Sequence, residues 1–227
     1  MSLKLMFGRS PSMTLLVQLA AIVLVALSCV NGAKIDIINN CLVVKTICVT
    51  NRDAPVTCYV LNAGGAIKTI DVPAKWEAGV IWGFNGNSGS VSLGIAAKPQ
   101  ANLAEITVGA ADGNDYYDIS NVNAYNLPMR IAVTQIAGGG TPSGAHCTSI
   151  VCNIPYNDLP TFCKAPNKLT GAPGNGCYNT DGTGNVATDG TRAFKARCPS
   201  SYSYSKDDVG AVFNCNTGSN YQVVFCP

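Results

Sequence analysis

The stretch DYYDISNVNAYNLPMR, residues 115–130, concentrates acidic and aromatic side chains. Asp115 and Asp118 stand close together in it, and three tyrosines accompany them: Tyr116, Tyr117 and Tyr125. Paired carboxyl groups serve as acid and base in enzymes that cleave glycosidic bonds. Asp and Asn also hydrogen-bond the backbone of turns, and aromatic rings commonly fill cores. The stretch therefore predicts either an acidic ligand site or a structural turn.

Other kinds of chemistry find less support in the sequence. A Ser-His-Asp triad would need His146, the only histidine, which adjoins Cys147 and has no nucleophile motif near it. The segment GNGCYNTDGTG lacks the Lys-Ser/Thr ending of a phosphate-binding loop. Cys147 and Cys152 form the closest cysteine pair, which is too sparse for a zinc site. We therefore expect neither a metal ion nor another cofactor.

The first 32 residues have the order of a secretory signal. Lys4 and Arg9 precede an apolar core, residues 15–27, and small residues follow it. A helix that spans a membrane needs about 20 apolar residues, which this core does not reach. The pattern predicts a cleaved signal over residues 1–32, a secreted, extracellular protein and no stable membrane anchor.

Charge and cysteine content further restrict the class of protein to which this sequence can belong. The chain has 15 basic and 13 acidic residues, and removal of Lys4 and Arg9 with the signal leaves equal numbers of both. This balance gives no basic stripe for nucleic acid. Of 11 cysteines, Cys29 lies in the signal, and the even number that remains predicts disulfide bonds in a secreted chain.

Most strand signals lie between residues 34 and 134. Short runs of period-two hydrophobicity, such as VIWGF, SVSLGI (90–95) and LAEITV, are separated by Gly, Asn, Pro and Asp. They predict an antiparallel β-sandwich or barrel. Residues 137–215 are rich in Gly, Asn, Thr and Cys, with one short helical turn at 191–197. We predict a β-sandwich of residues 33–136 and 216–227 and a disulfide-rich loop domain of residues 137–215.

Several motifs resemble one known family, the thaumatin-like proteins, which are secreted and pathogenesis-related. They occur in the family's order between Ile35 and Pro227: IDIINNC, LAEI, YYDISNVNAYNLPM, FKARCPSSYSYSKDD and NYQVVFCP. The resemblance implies a mainly β fold, an antiparallel sandwich with a small, disulfide-stabilised, loop-rich second domain. The chain has fewer cysteines than large members, and its cysteine-free segment after Trp82 departs from the family's hairpin.

The resemblance also implies disulfide pairings. It pairs Cys41 with Cys226, Cys147 with Cys215, Cys152 with Cys198, and Cys163 with Cys177. Cys48 and Cys58 have no clear family counterpart and are left to pair with each other. The sequence itself leaves the pairing open.

Large thaumatin-like proteins carry an acidic cleft formed by one Arg, one Glu and three Asp. Carried over by motif, these positions fall on Val80, Glu105, Asp118, Asn123 and Asp207. The resemblance therefore implies a ligand-binding cleft in which Glu105, Asp118 and Asp207 keep their carboxyl groups. The tyrosines Tyr116, Tyr117 and Tyr125, with Trp82 and Phe84, could form a surface that stacks on sugar rings, or they could pack in the core and at its rim.

The retained acids set what chemistry is plausible. Glu105 would be the catalytic acid if burial or nearby negative charge raised its pKa, with Asp118 as the second carboxyl group. The missing arginine and the missing aspartate at Asn123 weaken the separation of acid and base roles. We therefore expect a protein that binds rather than cleaves its ligand. A purely structural role for these acids is the simpler interpretation.

Three hypotheses follow. The first is a secreted antifungal defence protein, a monomer, that binds cell-wall β-1,3-glucan or a related polysaccharide. The second is a weak endo-β-1,3-glucanase that uses Glu105 and Asp118. The third is an inhibitor or effector that binds a foreign secreted hydrolase through an exposed loop, such as the Cys48–Cys58 segment with Arg52 and Asp53.

Overall fold

The structure is a computed structural model that describes residues 32–86, 99–163, 166–169 and 176–227. Residues 1–31 of the predicted signal and the predicted strand at 90–95 lie outside the described residues. Within them, Gly32–Pro227 form one compact unit. No helix in these ranges is long and apolar enough to cross a membrane.

Strands dominate the described part of the chain. In chain order they are β1 (Lys34–Asn39), β2 (Lys45–Asn51), β3 (Ala54–Leu61), β4 (Ala66–Asp71), β5 (Trp76–Asn85), β6 (Leu103–Val108), β7 (Asn114–Ser120), β8 (Ala124–Tyr125), β9 (Met129–Gln135), β10 (Ile150–Cys152), β11 (Lys168–Leu169), β12 (Gly176–Tyr178), β13 (Ser201–Tyr202), β14 (Phe213–Asn216) and β15 (Asn220–Phe225). The helical elements are a 3₁₀ turn (Tyr156–Asp158), α1 (Leu159–Phe162) and α2 (Asp189–Arg197).

Two sheets form the sandwich. As described, the smaller has the order β10-β9-β15-β1-β4, and the larger has the order β13-β7-β6-β5-β2-β3, with β14 also paired to β7. Neighbouring strands are antiparallel except for β1 with β15 and β13 with β7. The prediction of a mainly β, antiparallel sandwich is confirmed.

The core lies where alternate residues of both sheets meet. Ile35 and Ile37 of β1 belong to one buried cluster with Ile81 of β5, Ile106 of β6 and Tyr117 of β7. Period-two spacing explains this pattern, because successive side chains of a strand point to opposite faces. The residues between these positions must therefore face away from the core.

A β-bulge resets this alternation in β5. Trp76 and Ile81 both pack in the core although they are an odd number of residues apart. The register shifts between Trp76 and Gly79, and Ala78 adopts a φ of 49°. A side chain at Gly79 would collide with the Trp76 ring, so the bend requires glycine there. The extra residue turns Val80 to the outer face of the larger sheet.

The described cysteines form five disulfides. Four are the pairs that the resemblance implied, Cys41–Cys226, Cys147–Cys215, Cys152–Cys198 and Cys163–Cys177, and the fifth joins the two cysteines left over, Cys48 and Cys58. Cys48 and Cys58 lie directly opposite each other in β2 and β3. In the turn between these strands the Arg52 side chain pairs with Glu77, whereas Asp53 is exposed. An interaction role for this segment stays a prediction.

Residues 137–215 contribute to both sheets. Their strand β10 extends the smaller sheet, and β13 and β14 pair with β7 of the larger one. The short turn predicted at 191–197 is the helix α2, which a capping box at Thr188 begins. Arg197 of α2 holds Asp158 and stacks over the Phe162 ring. The division into two domains stays a prediction.

Candidate functional site

Three of the residues predicted for the cleft stand side by side on the larger sheet. Val80 lies opposite Glu105, and Glu105 lies opposite Asp118, across β5, β6 and β7. Because Ala104, Ile106 and their partners face the core, this row faces outward. We call Val80, Glu105 and Asp118 the acidic row.

The acidic row borders a cleft of about 460 Å³. Its lining combines three carboxyl groups with hydroxyl, amide and apolar groups: Leu103, Glu105, Asp118, Ser120, Val122, Asn123, Tyr202, Ser205 and Asp208. The structure therefore brings together Glu105, Asp118 and Asn123 of the predicted set. Val80 and Asp207 are not among the lining residues.

Asp207, which was predicted for this cleft, instead binds Ser203 and Lys195. Its carboxylate accepts hydrogen bonds from the Ser203 backbone N–H at 2.9 Å and from the Ser203 hydroxyl at 2.8 Å. Lys195 Nζ lies 3.1 Å from the same oxygen. The next residue, Asp208, is exposed, lines the cleft and accepts a hydrogen bond of 2.8 Å from the Tyr202 hydroxyl. The motif SKDD predicted an aspartate at this cleft, but the local turn brings Asp208, and not Asp207, to the cleft.

Val80 is the residue to which the resemblance assigned the arginine position of the cleft. It packs against an apolar cluster on the outer face of the larger sheet: Cys48, Trp82, Phe84, Ala101 and Leu103. The residues that line the described cleft include no lysine, arginine or histidine. Glu105 is therefore flanked by apolar groups on one side and by Asp118 on the other, without a cation to offset its charge.

Glu105 and Asp118 form a cross-strand pair of carboxyl groups. The buried Oδ1 atom of Asp118 has no partner among donors of the structure, and Glu105 stands directly across the strand pair. A proton on Asp118 would satisfy this oxygen by donating to the Glu105 carboxylate. Burial and the negative charge of Glu105 raise the pKa of Asp118 well above its ordinary value.

The pKa of Glu105 is also raised by burial, but hydrogen bonds from Asp118 and Ser120 oppose this effect. Both pKa values are raised mainly by burial, which favours one proton held between the two carboxyl groups. The role of Glu105 as the catalytic acid stays a prediction, and the cross-strand pairing that couples it to Asp118 could not be seen from the sequence.

This closeness limits what the pair can do to a sugar. Glycosidases flank the scissile bond with carboxyl groups about 5 Å or more apart. Glu105 and Asp118 stand side by side on neighbouring strands, with Cβ atoms about 4.5–5.5 Å apart by strand geometry, rather than on opposite walls of the cleft.

The other acid of the opening stretch has a structural role. Asp115 is fully buried; its Oδ1 accepts from the Gly109 backbone N–H and its Oδ2 from the Tyr221 hydroxyl, both at 2.8 Å. Tyr117 and Tyr125 are also buried. Within the described ranges, no cluster of His, Cys, Asp and Glu could hold a metal ion.

Comparison with known proteins shows the family of this chain. Residues 39–227 match the sequence profile of the Thaumatin family. The chain belongs to the thaumatin family. Thaumatin-like protein 1 of Pyrus pyrifolia is 31% identical over 192 residues, 73% of this chain and 78% of that protein. Thaumatin-like protein 1a of Malus domestica is 31% identical over 226 residues, 87% of this chain and 91% of that protein.

Among solved structures, a laminaripentaose-producing β-1,3-glucanase in complex with laminaritetraose has the same fold. It superimposes with a TM-score of 0.56 at 12% identity, over 85% of this chain and 98% of that chain. Identity this low supports a common architecture and nothing about ligands.

We predict that Asp118→Asn makes stability less dependent on pH. Wild-type Asp118 keeps in the native state a proton that the unfolded chain releases above about pH 4. The unfolding free energy of the wild type should therefore fall, by up to about 1.4 kcal/mol per pH unit, as pH rises from there to the raised native pKa. The amide of the variant cannot titrate, so urea unfolding at successive pH values should show a flatter profile. An unchanged slope would contradict the shared proton, and Asp53→Asn serves as the exposed control.

We also predict that Asp115→Ala lowers the unfolding free energy by about 2 to 4 kcal/mol. The change leaves the Gly109 N–H and the Tyr221 hydroxyl without their buried acceptor. Denaturant unfolding measures the effect, and Asp53→Ala should change stability by less than about 0.5 kcal/mol. Equal small effects of both substitutions would show that Asp115 does not hold the sandwich together.

Proposed function

We propose that this thaumatin-family member is a secreted defence protein that binds cell-wall β-1,3-glucan in the acidic cleft. The observation that carries the proposal is a concave surface rich in hydrogen-bond acceptors, with Glu105 and Asp208 in its lining. Its disulfides suit the oxidising extracellular environment. Antifungal action would follow from attachment to the fungal wall.

The chemistry of the cleft favours a neutral ligand with many hydroxyl groups. Ionised carboxylates only accept hydrogen bonds, and a partly buried carboxylate needs donors to replace lost water. Sugar hydroxyls supply such donors, and the Asn123 amide and the Ser120 hydroxyl can both donate and accept in return. An anionic polysaccharide would meet repulsion from Glu105 and Asp208.

Binding without efficient cleavage is the form of the proposal that the acid pair supports. Burial and the charge of Glu105 raise the pKa of Asp118, and the two carboxyl groups stand side by side instead of flanking a glycosidic bond. Asp208 is exposed and already accepts a hydrogen bond from the Tyr202 hydroxyl, so it lacks the burial that prepares a carboxyl group to act as an acid. A weak glucanase remains the alternative that an activity assay separates.

The first test is binding to insoluble β-1,3-glucan, with cellulose as the control polymer. Glu105→Gln should weaken binding about tenfold or more, because it removes a charged acceptor. Asp118→Asn should bind almost as well as the wild type near pH 6, because the amide resembles the protonated acid. Asp53→Asn, which is remote from the cleft, should bind like the wild type.

Two results would overturn this proposal. One is equal retention of the wild type on cellulose and on β-1,3-glucan. The other is unchanged binding by Glu105→Gln, which would show that the ligand lies elsewhere. Thermal unfolding of each variant must accompany the assay so that loss of fold is not mistaken for loss of binding.

The second test is release of reducing sugar from laminarin between about pH 4 and pH 7. We expect no release above that of an unfolded sample of the same protein. Release by the wild type that Glu105→Gln abolishes would instead establish the weak endo-β-1,3-glucanase. Release that both proteins show equally would indicate a contaminating hydrolase.

A further inference from the structure

The outer face of the larger sheet continues beyond the acidic row. Two residues further along β6 lies Thr107, which stands opposite Tyr116 of β7, and Tyr116 stands opposite Asn214 of β14. We call Thr107, Tyr116 and Asn214 the polar row. Strand geometry separates the two rows by roughly 7 Å. The β6–β7 register that places Glu105 beside Asp118 therefore also builds a second row on the same face.

Each side chain of the polar row is held by a neighbour. The Tyr116 hydroxyl donates to Asp112, the Thr107 hydroxyl accepts from the Ala78 backbone N–H, and Asn214 pairs with His146. All three residues are partly exposed. Groups fixed in this way lose little conformational entropy when a ligand binds.

A second concave site adjoins the polar row. It has a volume of about 430 Å³, and Thr107 belongs to its lining together with Arg52, Lys75 and Glu77. Arg52 and Lys75 share the single carboxylate of Glu77, so one positive charge is in excess. Their remaining N–H groups can donate to ligand oxygens. Glu105 in the first cleft and Thr107 in this second site are thus adjacent outward positions of one strand.

We infer that a β-1,3-glucan chain held in the acidic cleft continues across the polar row into the second site, with the Tyr116 ring as a stacking surface. This inference rests on the proposed function. Three observations support it: both concavities lie on one sheet face, the polar row joins them, and its aromatic ring is fixed and partly exposed. Tyrosine offers a large, rigid contact area whose hydroxyl stays hydrogen-bonded.

The inference predicts that affinity grows with chain length. Calorimetry would compare laminaritriose, which the acidic cleft accommodates, with laminarihexaose, which reaches the second site. Tyr116→Ala should weaken laminarihexaose binding by about three- to tenfold and leave laminaritriose binding unchanged. Lys75→Ala should also weaken laminarihexaose binding, because Lys75 lines the second site. Tyr116→Phe keeps the ring and should retain most of the affinity for laminarihexaose.

Tyr59→Ala is the matched control, because Tyr59 lies in β3 beneath Lys68 and away from both rows. The inference is overturned if laminarihexaose binds no tighter than laminaritriose. It is also overturned if neither Tyr116→Ala nor Lys75→Ala affects the longer chain, or if Tyr116→Ala weakens both chains equally. In these cases the proposed function stands as long as laminaritriose binding depends on Glu105. If the wild type binds neither oligomer, the proposed function fails with it.

Discussion

The site depends on the register between β5, β6 and β7. A slip of one residue would turn Glu105 and Asp118 into the core and bring Ala104 and Ile119 to the surface. The buried alternate residues therefore fix the acidic row as firmly as they fix the core. The bulge at Ala78 and Gly79 contributes in the same way, because it brings Val80 to the outer face beside Glu105.

The electrostatics of the acidic row depend on Val80, the apolar residue that stands beside Glu105. An arginine beside Glu105 would hold nearby carboxyl groups ionised, as opposite charges do at short range. Val80 instead extends an apolar cluster to the edge of the acid pair. Burial without a cation leaves a shared proton as the way to keep both carboxyl groups close. The cleft thus presents carboxyl acceptors whose charge no lysine, arginine or histidine of its lining offsets.

The sequence predicts the parts of this molecule that follow from short-range rules. Period-two runs indicated most strands, and the alternation in LAEITV turned Glu105 away from Ile106. The choice between Asp207 and Asp208 could not be predicted, because a turn held by Ser203 and Lys195 decides it. The raised pKa of Asp118 could not be predicted either, since it depends on burial and on a cross-strand partner. The roles of Asp115 and Asp118 separate only once strand parity places them on opposite faces of β7.

The positions of β1 and β15 have a consequence for how the protein is made. These strands come from the two ends of Gly32–Pro227, yet they lie next to each other inside the smaller sheet and Cys41–Cys226 joins them. During synthesis β1 can pair with β4, and β9 with β10, before β15 has been made, and β15 then joins these two halves. The smaller sheet is therefore completed only when β15 is available, and the nascent chain must keep two open strand edges apart until then.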